Sequence, residues 1–171
     1  MVQNTQKDNS IAKIIHQDIA IGLDLLKERV PHYKYNPKPV LESEKFAVYW
    51  DRPIITDRTI KNNKPDIVII DKASKTATLV DIACPLDHNI TSTESEKIRK
   101  YIDIAAEIKD LWKLKETPKI VSIVISTNGL ISKNLVGNLK KLNINKTIIK
   151  ALGKTTILHT CNIVRKFLQI E

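Results

Sequence analysis

The sequence predicts an α/β domain with a mixed central sheet of about four strands flanked by helices. Three features predict it. Two β-branched runs, Pro65 to Asp71 (PDIVIID) and Ala77 to Ala83 (ATLVDIA), are joined by the polar turn KASK, which reads as an antiparallel hairpin. A helical stretch and Pro118 then precede Lys119 to Ser126 (KIVSIVIS), a short buried strand laid parallel to its neighbours by the helical crossover. Helical patterns open and close the chain.

In chain order, Asp8, Asn9 and Ser10 offer N-caps to a helix whose residues Ile11, Ile14, Ile15, Ile19, Gly22 and Leu26 recur at helical spacing, ending before Pro31. Residues 31–43 (PHYKYNPKPVLES) carry three prolines, which exclude a regular helix or central strand and predict an extended connector. Lys45 to Trp50 alternates Phe46, Val48 and Trp50 on one face. Pro53 limits that strand, and Ile54 to Ile60 is expected to continue in extended form. After the hairpin, Pro85 ends the second strand.

Thr91 to Glu94 and Thr93 to Glu96 are overlapping capping boxes, either able to start a helix that runs to about Lys113. Its inward arc is expected to hold Ile98, Tyr101, Ile102, Ala105, Ile108 and Trp112, with Lys97 about 60° from the middle and Lys100 about 120° away. Asn128 and Gly129 turn the chain after the parallel strand. Helices are then expected over Ser132 to Leu142 and about Lys146 to Leu168, with Gly153 as a weak point in the second.

The composition fits a single domain over residues 10–171, with residues 1–9 as a disordered N-terminus: 171 residues, 42% hydrophobic and 27% charged. No run approaches the roughly 18 apolar residues of a membrane span, and Met1 to Ser10 is polar. The expectation is a protein neither secreted nor membrane-spanning, nuclear or intracellular. Cys84 and Cys161 stand apart, outside any zinc-like cluster, and read as ordinary buried thiols. The net charge of +9 is uneven: residues 1–112 hold 17 basic against 17 acidic side chains, residues 113–171 hold 11 against 2. Such a bias suits a polyanion such as nucleic acid, and equally a lysine-rich solvated surface.

Asp66 opens one hairpin strand and Asp81 stands near the end of the other, so antiparallel pairing brings them to the same end of the sheet. Two carboxylates there can hold Mg²⁺ or Mn²⁺ through hard oxygen ligands, with positions left for water and a phosphate oxygen. Asp81 also interrupts the apolar run LVDIA, where an unpaired carboxylate is costly to bury. Lys97 is the candidate cation beside it, able to orient water and neutralise charge on the phosphorane-like transition state; snorkelling is its plain alternative. For Lys100 and Tyr101, phosphate contact and packing stand even.

Arg52 and Arg58 either reach a phosphate or pair with Asp51 or Asp57. His88 lies in the loop between the Asp81 strand and the Lys97 helix, placed to touch a phosphate or a bound water, or simply a loop histidine. Asp71 and Asp87 are possible further metal ligands or turn residues, and Glu28 a further one by analogy only. His16, His32 and His159 read as structural, and Trp50 and Trp112 as core anchors; 5% aromatics leaves no stacking platform for single strands.

KPDIVIID, TATLVDIACP and EKIRKY together resemble the PD-(D/E)xK nuclease pattern, in the form found in the restriction-like endonuclease domain of site-specific non-LTR retrotransposon polyproteins. VYWDRPIITDRT, PLDHN and LHTCNIVRKFL are similar to that family too, so the resemblance covers roughly residues 10–170. It implies a restriction-endonuclease-like core, Asp66 as first metal-binding acid, Asp81 as second, and a Mg²⁺- or Mn²⁺-dependent endonuclease that nicks double-stranded DNA for integration. In the usual pattern a lysine stands two residues after the second acid, where this chain has Ala83. The family's displaced lysine lies on the following helix, matching Lys97 or Lys100. Neither a polymerase nor a Cys/His zinc knuckle accompanies these residues, so the expectation is a fragment of such a polyprotein, a degraded copy, or a host gene that kept the module. A reverse transcriptase portion is then a possible partner. The competing readings are a non-cleaving DNA-binding or interaction module derived from such a domain, and an RNA-processing nuclease using the same site.

Overall fold

The computed structural model describes residues 2–169, with side chains from residue 10 to 169. Its elements in chain order are α1 (Val2–Gly22), β1 (Val40–Glu42), β2 (Phe46–Trp50), β3 (Ile67–Asp71), β4 (Thr76–Ala83), a 3₁₀ turn (Asp87–Asn89), α2 (Ile90–Lys100), α3 (Ile102–Leu111), β5 (Lys119–Val124), α4 (Leu135–Lys141) and α5 (Ile148–Leu168). The strands form one mixed sheet in the order β1-β2-β3-β4-β5, antiparallel except for the parallel pair β4–β5. The protein is therefore α/β, with helices on both faces of a five-stranded sheet. No helix among the described residues is long and apolar enough to cross a membrane.

Alternation along the strands sorts the two faces. Val48, Ile67, Val80, Ile82, Val121 and Ile123 point into a core shared with α1, α4 and α5. Val68 and Leu79 point the other way, against Ile54 and against Tyr101, Ile104, Ala105 and Ile108. The crossover β4–α2–α3–β5 thus lays its helices on the face that also carries Asp66 and Asp81. Trp50 and Trp112 pack half-buried at the margins of the first and second core respectively. Six of the eleven basic residues in 113–171 lie on α4 and α5, which cover the opposite face.

Several sequence expectations are corrected. The sheet has five strands where about four were expected: the extended proline-rich connector contributes β1 at the sheet's edge. An edge position tolerates prolines because they need donate nothing there, and the Pro39 carbonyl accepts the Trp50 N–H at 3.0 Å. Residues 54–60 form no strand. Asp51 turns the chain at φ 48°, Pro53 follows, and Ile54 is tied across the loop by its N–H to the Asn63 carbonyl at 2.8 Å. The first helix stops at Gly22 instead of reaching the residues before Pro31. Asp24 adopts φ 56°, and the Leu25 N–H reaches the Ala20 carbonyl at 2.8 Å while that of Asp24 reaches Ile21 at 3.0 Å, a Schellman stop. Lys113 and Asn143 end α3 and α4 in the same way. The expected disordered stretch, residues 1–9, falls outside the residues whose side chains are described; the backbone of α1 is drawn from Val2.

The single helix expected up to Lys113 is two helices. They meet at Tyr101, which leaves helical geometry at φ −109°, ψ 6°. Neither capping box operates: α2 begins at Ile90, and Asn89 caps it without a side-chain bond. Cys161 is exposed on α5, so only Cys84 is a buried thiol. Gly153, expected as a weak point, lies within an unbroken α5. It faces Gly129 of the β5–α4 turn, where φ is +83° and an added Cβ would meet Ile157 Cδ1 at 3.1 Å. Gly129, with its positive φ, admits the close approach of turn to helix, while a Cβ at Gly153 would make only an ordinary contact at 4.0 Å.

His16 joins α1 to the connector. Its Nδ1 lies 2.7 Å from the Tyr35 hydroxyl, its ring meets Trp50 edge-on at 5.3 Å, and burial lowers its pKa from 6.5 to about 4. The native state therefore stays neutral where the unfolded chain binds a proton. His16 supplies stability that is present above pH 6.5 and lost as pH falls towards its folded value. Between pH 7 and pH 4.5 this loss should reach roughly 2 kcal/mol. Urea unfolding of the native chain and of His16→Gln at both pH values measures it: the variant should lose less by about that amount, and equal losses would rule the account out.

Candidate metal and phosphate site

Ile67 pairs with Val80 in the β3–β4 ladder, and the register continued one step brings Asp66 opposite Asp81. Residues so placed have Cβ atoms about 5 Å apart. Asp66 Oδ2 accepts the Ile82 N–H at 2.7 Å, which ties its carboxyl to the backbone beside Asp81. The two acids thus share one end and one face of the sheet.

Asp81 is 2% exposed. Its Oδ1 lies 2.5 Å from the Tyr101 hydroxyl, and Lys100 Nζ is 3.8 Å away. Its Oδ2 meets Lys97 Nζ at 2.6 Å. That contact is an ion pair only, since Oδ2 accepts no hydrogen bond from the described residues. The Tyr101 hydroxyl also lies 3.0 Å from the Lys64 carbonyl; it has one proton, and the nearer, charged oxygen takes it. Burial first, then the charge and hydrogen bond of Asp81, push the Tyr101 phenol far above its ordinary pKa, so it stays a donor. Lys100 lies 4.7 Å over the Tyr101 ring, a cation–π contact.

Lys97, Lys100, Arg99, Asn62 and one acid, Glu96, line an open cleft of about 450 Å³ beside this cluster, so its lining is net basic. Both lysines therefore stand between a buried carboxylate and a solvent-filled basic groove. Tyr101, expected as a possible phosphate contact, is fully buried and cannot reach one; it supports Asp81 instead.

The inward arc is also rotated from expectation. Ile98 and Ile102 are 39% and 52% exposed, whereas Glu94, Tyr101, Ile104, Ala105 and Ile108 are buried. Lys97 lies on the face turned toward the sheet, as expected, but that face is centred nearer to it than the apolar arc is. The reason is physical: α2 covers a pair of carboxylates, so its inward face is polar, and a wheel centred on apolar residues misplaces it.

The remaining candidates separate. Arg58 pairs with Glu107 of α3 at 2.6 Å, and Asp51 pairs with Lys64 at 2.8 Å, so the expected arginine–aspartate partners are not the observed ones. Arg52 is exposed and lines a cavity of about 490 Å³ with Tyr49, Val68 and Trp112. His88 is exposed in the 3₁₀ turn that leads into α2. Asp71 lies at the far end of the hairpin, opposite Thr76, and accepts the Ser74 N–H at 2.9 Å; that bond, the largest cause, lowers its pKa. Asp87 holds Asn128 at 2.8 Å, and the side chains of Ser126 and Asn128 lower its pKa. Asp71 and Asp87 are thus turn residues. Glu28 is exposed beyond the end of α1, a helix that covers the other face.

Sequence reasoning missed Glu94, read as a capping-box residue. It is 6% exposed and accepts hydrogen bonds from Ser132 Oγ at 3.0 Å, Asn134 Nδ2 at 2.8 Å and Asn138 Nδ2 at 3.4 Å. Its position three residues before Lys97 was the one signal that it shares the inward face.

Among the described residues, no group of three or more His, Cys, Asp and Glu could hold a metal ion. Protein ligands for a cation here would be the two aspartates alone. That donor set suits Mg²⁺, which keeps several waters and is commonly bound through one or two carboxylates. Asp81 Oδ2, buried, without a hydrogen bond and countered by an ammonium, is already a position of cation charge. Searches found no matching family model and no matching curated protein.

Proposed function

We propose that the chain is a metal-dependent endonuclease domain with a restriction-endonuclease-like core, which hydrolyses a phosphodiester bond of double-stranded DNA. One observation carries the reading: a buried Asp81 in contact with Lys97, with Asp66 beside it on the same sheet end, under a basic cleft. A merely structural ion pair would need neither the second carboxylate nor the open groove. The resemblance of KPDIVIID, TATLVDIACP and EKIRKY to the nuclease domain of retrotransposon polyproteins supports the same reading.

In this proposal Asp66 and Asp81 hold Mg²⁺ or Mn²⁺. When bound, the metal supplies charge for the transferring phosphate and a more acidic water. Lys97 leaves Asp81 Oδ2 for a phosphoryl oxygen, where its charge counts most in the transition state. Lys100 and Arg99 hold neighbouring phosphates in the cleft. Tyr101 keeps Asp81 Oδ1 in place. Water oxygen bonds to phosphorus and gives up a proton to solvent, the bond to the leaving sugar oxygen breaks, and that oxygen takes up a proton from solvent.

The test is nicking of supercoiled plasmid with Mg²⁺ or Mn²⁺ by the native chain, Asp66→Ala and Asp81→Ala. Nicking should require metal and disappear in both variants; equal nicking by all three would refute the assignment. The second reading, a DNA-binding module without cleavage, rests on the basic cleft alone. It predicts binding that falls steeply with salt, survives Asp81→Ala and is accompanied by no nicking.

A further inference from the structure

The inward side of α2 holds a buried carboxylate of its own, Glu94, which the cluster of Asp66 and Asp81 just described does not use. Glu94, Lys97 and Tyr101 are spaced i, i+3, i+7, so they share a face of the helix. Glu94 accepts from three neutral donors on the segment leading into and along α4, and among the described residues it has no ion-pair partner. One of those donors goes further: Asn138 Nδ2 also donates to the Ser122 carbonyl at 2.8 Å, and Asn138 Oδ1 accepts from Lys141 Nζ at 3.1 Å. Ser122 is the β5 residue paired with Asp81. A continuous set of hydrogen bonds therefore runs from α2 through α4 to the strand beside Asp81.

Burying a carboxylate among neutral partners is costly unless every lone pair is used. A glutamine there would turn an N–H₂ group towards donors that need an acceptor. The charge thus requires a particular seating of α2, since sliding or rotating the helix would strand Glu94 in the interior. One turn further on, that seating decides whether Lys97 and Tyr101 meet Asp81.

We propose that Glu94 is a positioning residue for this site. It locks α2 onto β5 and α4, and thereby sets the Lys97 ammonium and the Tyr101 hydroxyl on the two oxygens of Asp81. The kinetic part of this inference rests on the nuclease reading; the structural part does not.

Glu94→Gln separates the two. A phenol proton held by a buried carboxylate exchanges slowly and resonates downfield, and Tyr101→Phe identifies its signal by removing it. In Glu94→Gln that signal should shift or vanish. Single-turnover nicking should fall about tenfold, because small displacements of oriented groups cost that much or more, while DNA affinity stays within about twofold. In a Lys97→Ala background the same substitution should cost clearly less, about threefold or under, as expected of a residue that acts in large part through Lys97. A native Tyr101 signal in folded Glu94→Gln, or a tenfold fall in both backgrounds, would overturn the proposal. Should Glu94→Gln fail to fold, Asn134→Ala removes one donor at the exposed edge of the network; it should move the same signal by less, and an unmoved signal there also overturns it. If the native chain does not nick, the nuclease reading fails and the Tyr101 signal alone decides the role of Glu94.

Discussion

Asp81→Asn should lower metal-dependent nicking at least about a thousandfold while leaving thermal stability close to native. The asparagine keeps the volume and an Oδ1 acceptor for the Tyr101 hydroxyl, so the packing of α2 on the sheet has no steric reason to change. What is lost is negative charge. A cation then has one carboxylate where the proposed site has two, and a metal's contribution of several kcal/mol to the transition state corresponds to three or more orders of magnitude in rate. Stability responds differently. A carboxylate that is 2% exposed is expensive to bury, and removing its charge is costly only where the partner left behind is itself shut off from water. The two ammonium groups it releases belong to side chains 23% and 33% exposed, which reach water. Nicking assays and a melting curve on one preparation check both halves. Retained nicking would move the chemistry elsewhere, and a fall in melting temperature of more than about 10 °C would make Asp81 a core ion pair first.

The legible parts of the sequence were those fixed by local pattern. The hairpin, the parallel strand and the helix after β4 each follow from short apolar runs bounded by turn residues. From the hairpin register alone, Asp66 and Asp81 had to reach one sheet end. Features set by neighbours distant in sequence were not legible. Whether Val40–Glu42 becomes a strand depends on the edge that β2 leaves open, and the prolines exclude only a central place. The length of α1 was overestimated because Leu26 keeps the helical period after Asp24 has already turned left-handed. Nor could the sequence assign partners to Arg58, whose Glu107 lies on another element.

The site shows the same division more sharply. Hydrophobic periodicity assumes that the inward face of a helix is apolar, and α2 breaks that assumption where it lies over the aspartates. Glu94, Lys97 and Tyr101 form its inward face, while Ile98 and Ile102 face outward. A helix that continues as an ordinary amphipathic one in α3 but turns a polar stripe inward for its first three turns is itself a sign of a buried polar cluster. The preference between Lys97 and Lys100 also needed coordinates: both approach Asp81, but only Lys97 is in close contact.

Lys97→Met is expected to be the converse of the asparagine variant, damaging stability as well as rate. Methionine fills the lysine stem's place and removes the charge, so the packing loss is small. Asp81 stays buried, with Tyr101 as its donor and Lys100 as its nearest cation at 3.8 Å. Removing one partner of a fully buried pair costs about 3–5 kcal/mol. Because Lys97 is partly hydrated and Lys100 stays, roughly 2–3 kcal/mol is the reasonable figure, or about 5–10 °C in a domain of this size. Combining it with Asp81→Asn removes both charges and should restore most of that loss, a strongly non-additive cycle. Nicking should fall about a hundredfold or more in Lys97→Met, as for loss of a preorganised charge aimed at the transition state, and the double variant should stay inactive. Urea unfolding of the four proteins gives the coupling directly. If Lys97→Met is as stable as the native chain, or the double variant is no better than the single, the ammonium is a snorkelling surface group and its proximity to Asp81 carries no energetic weight.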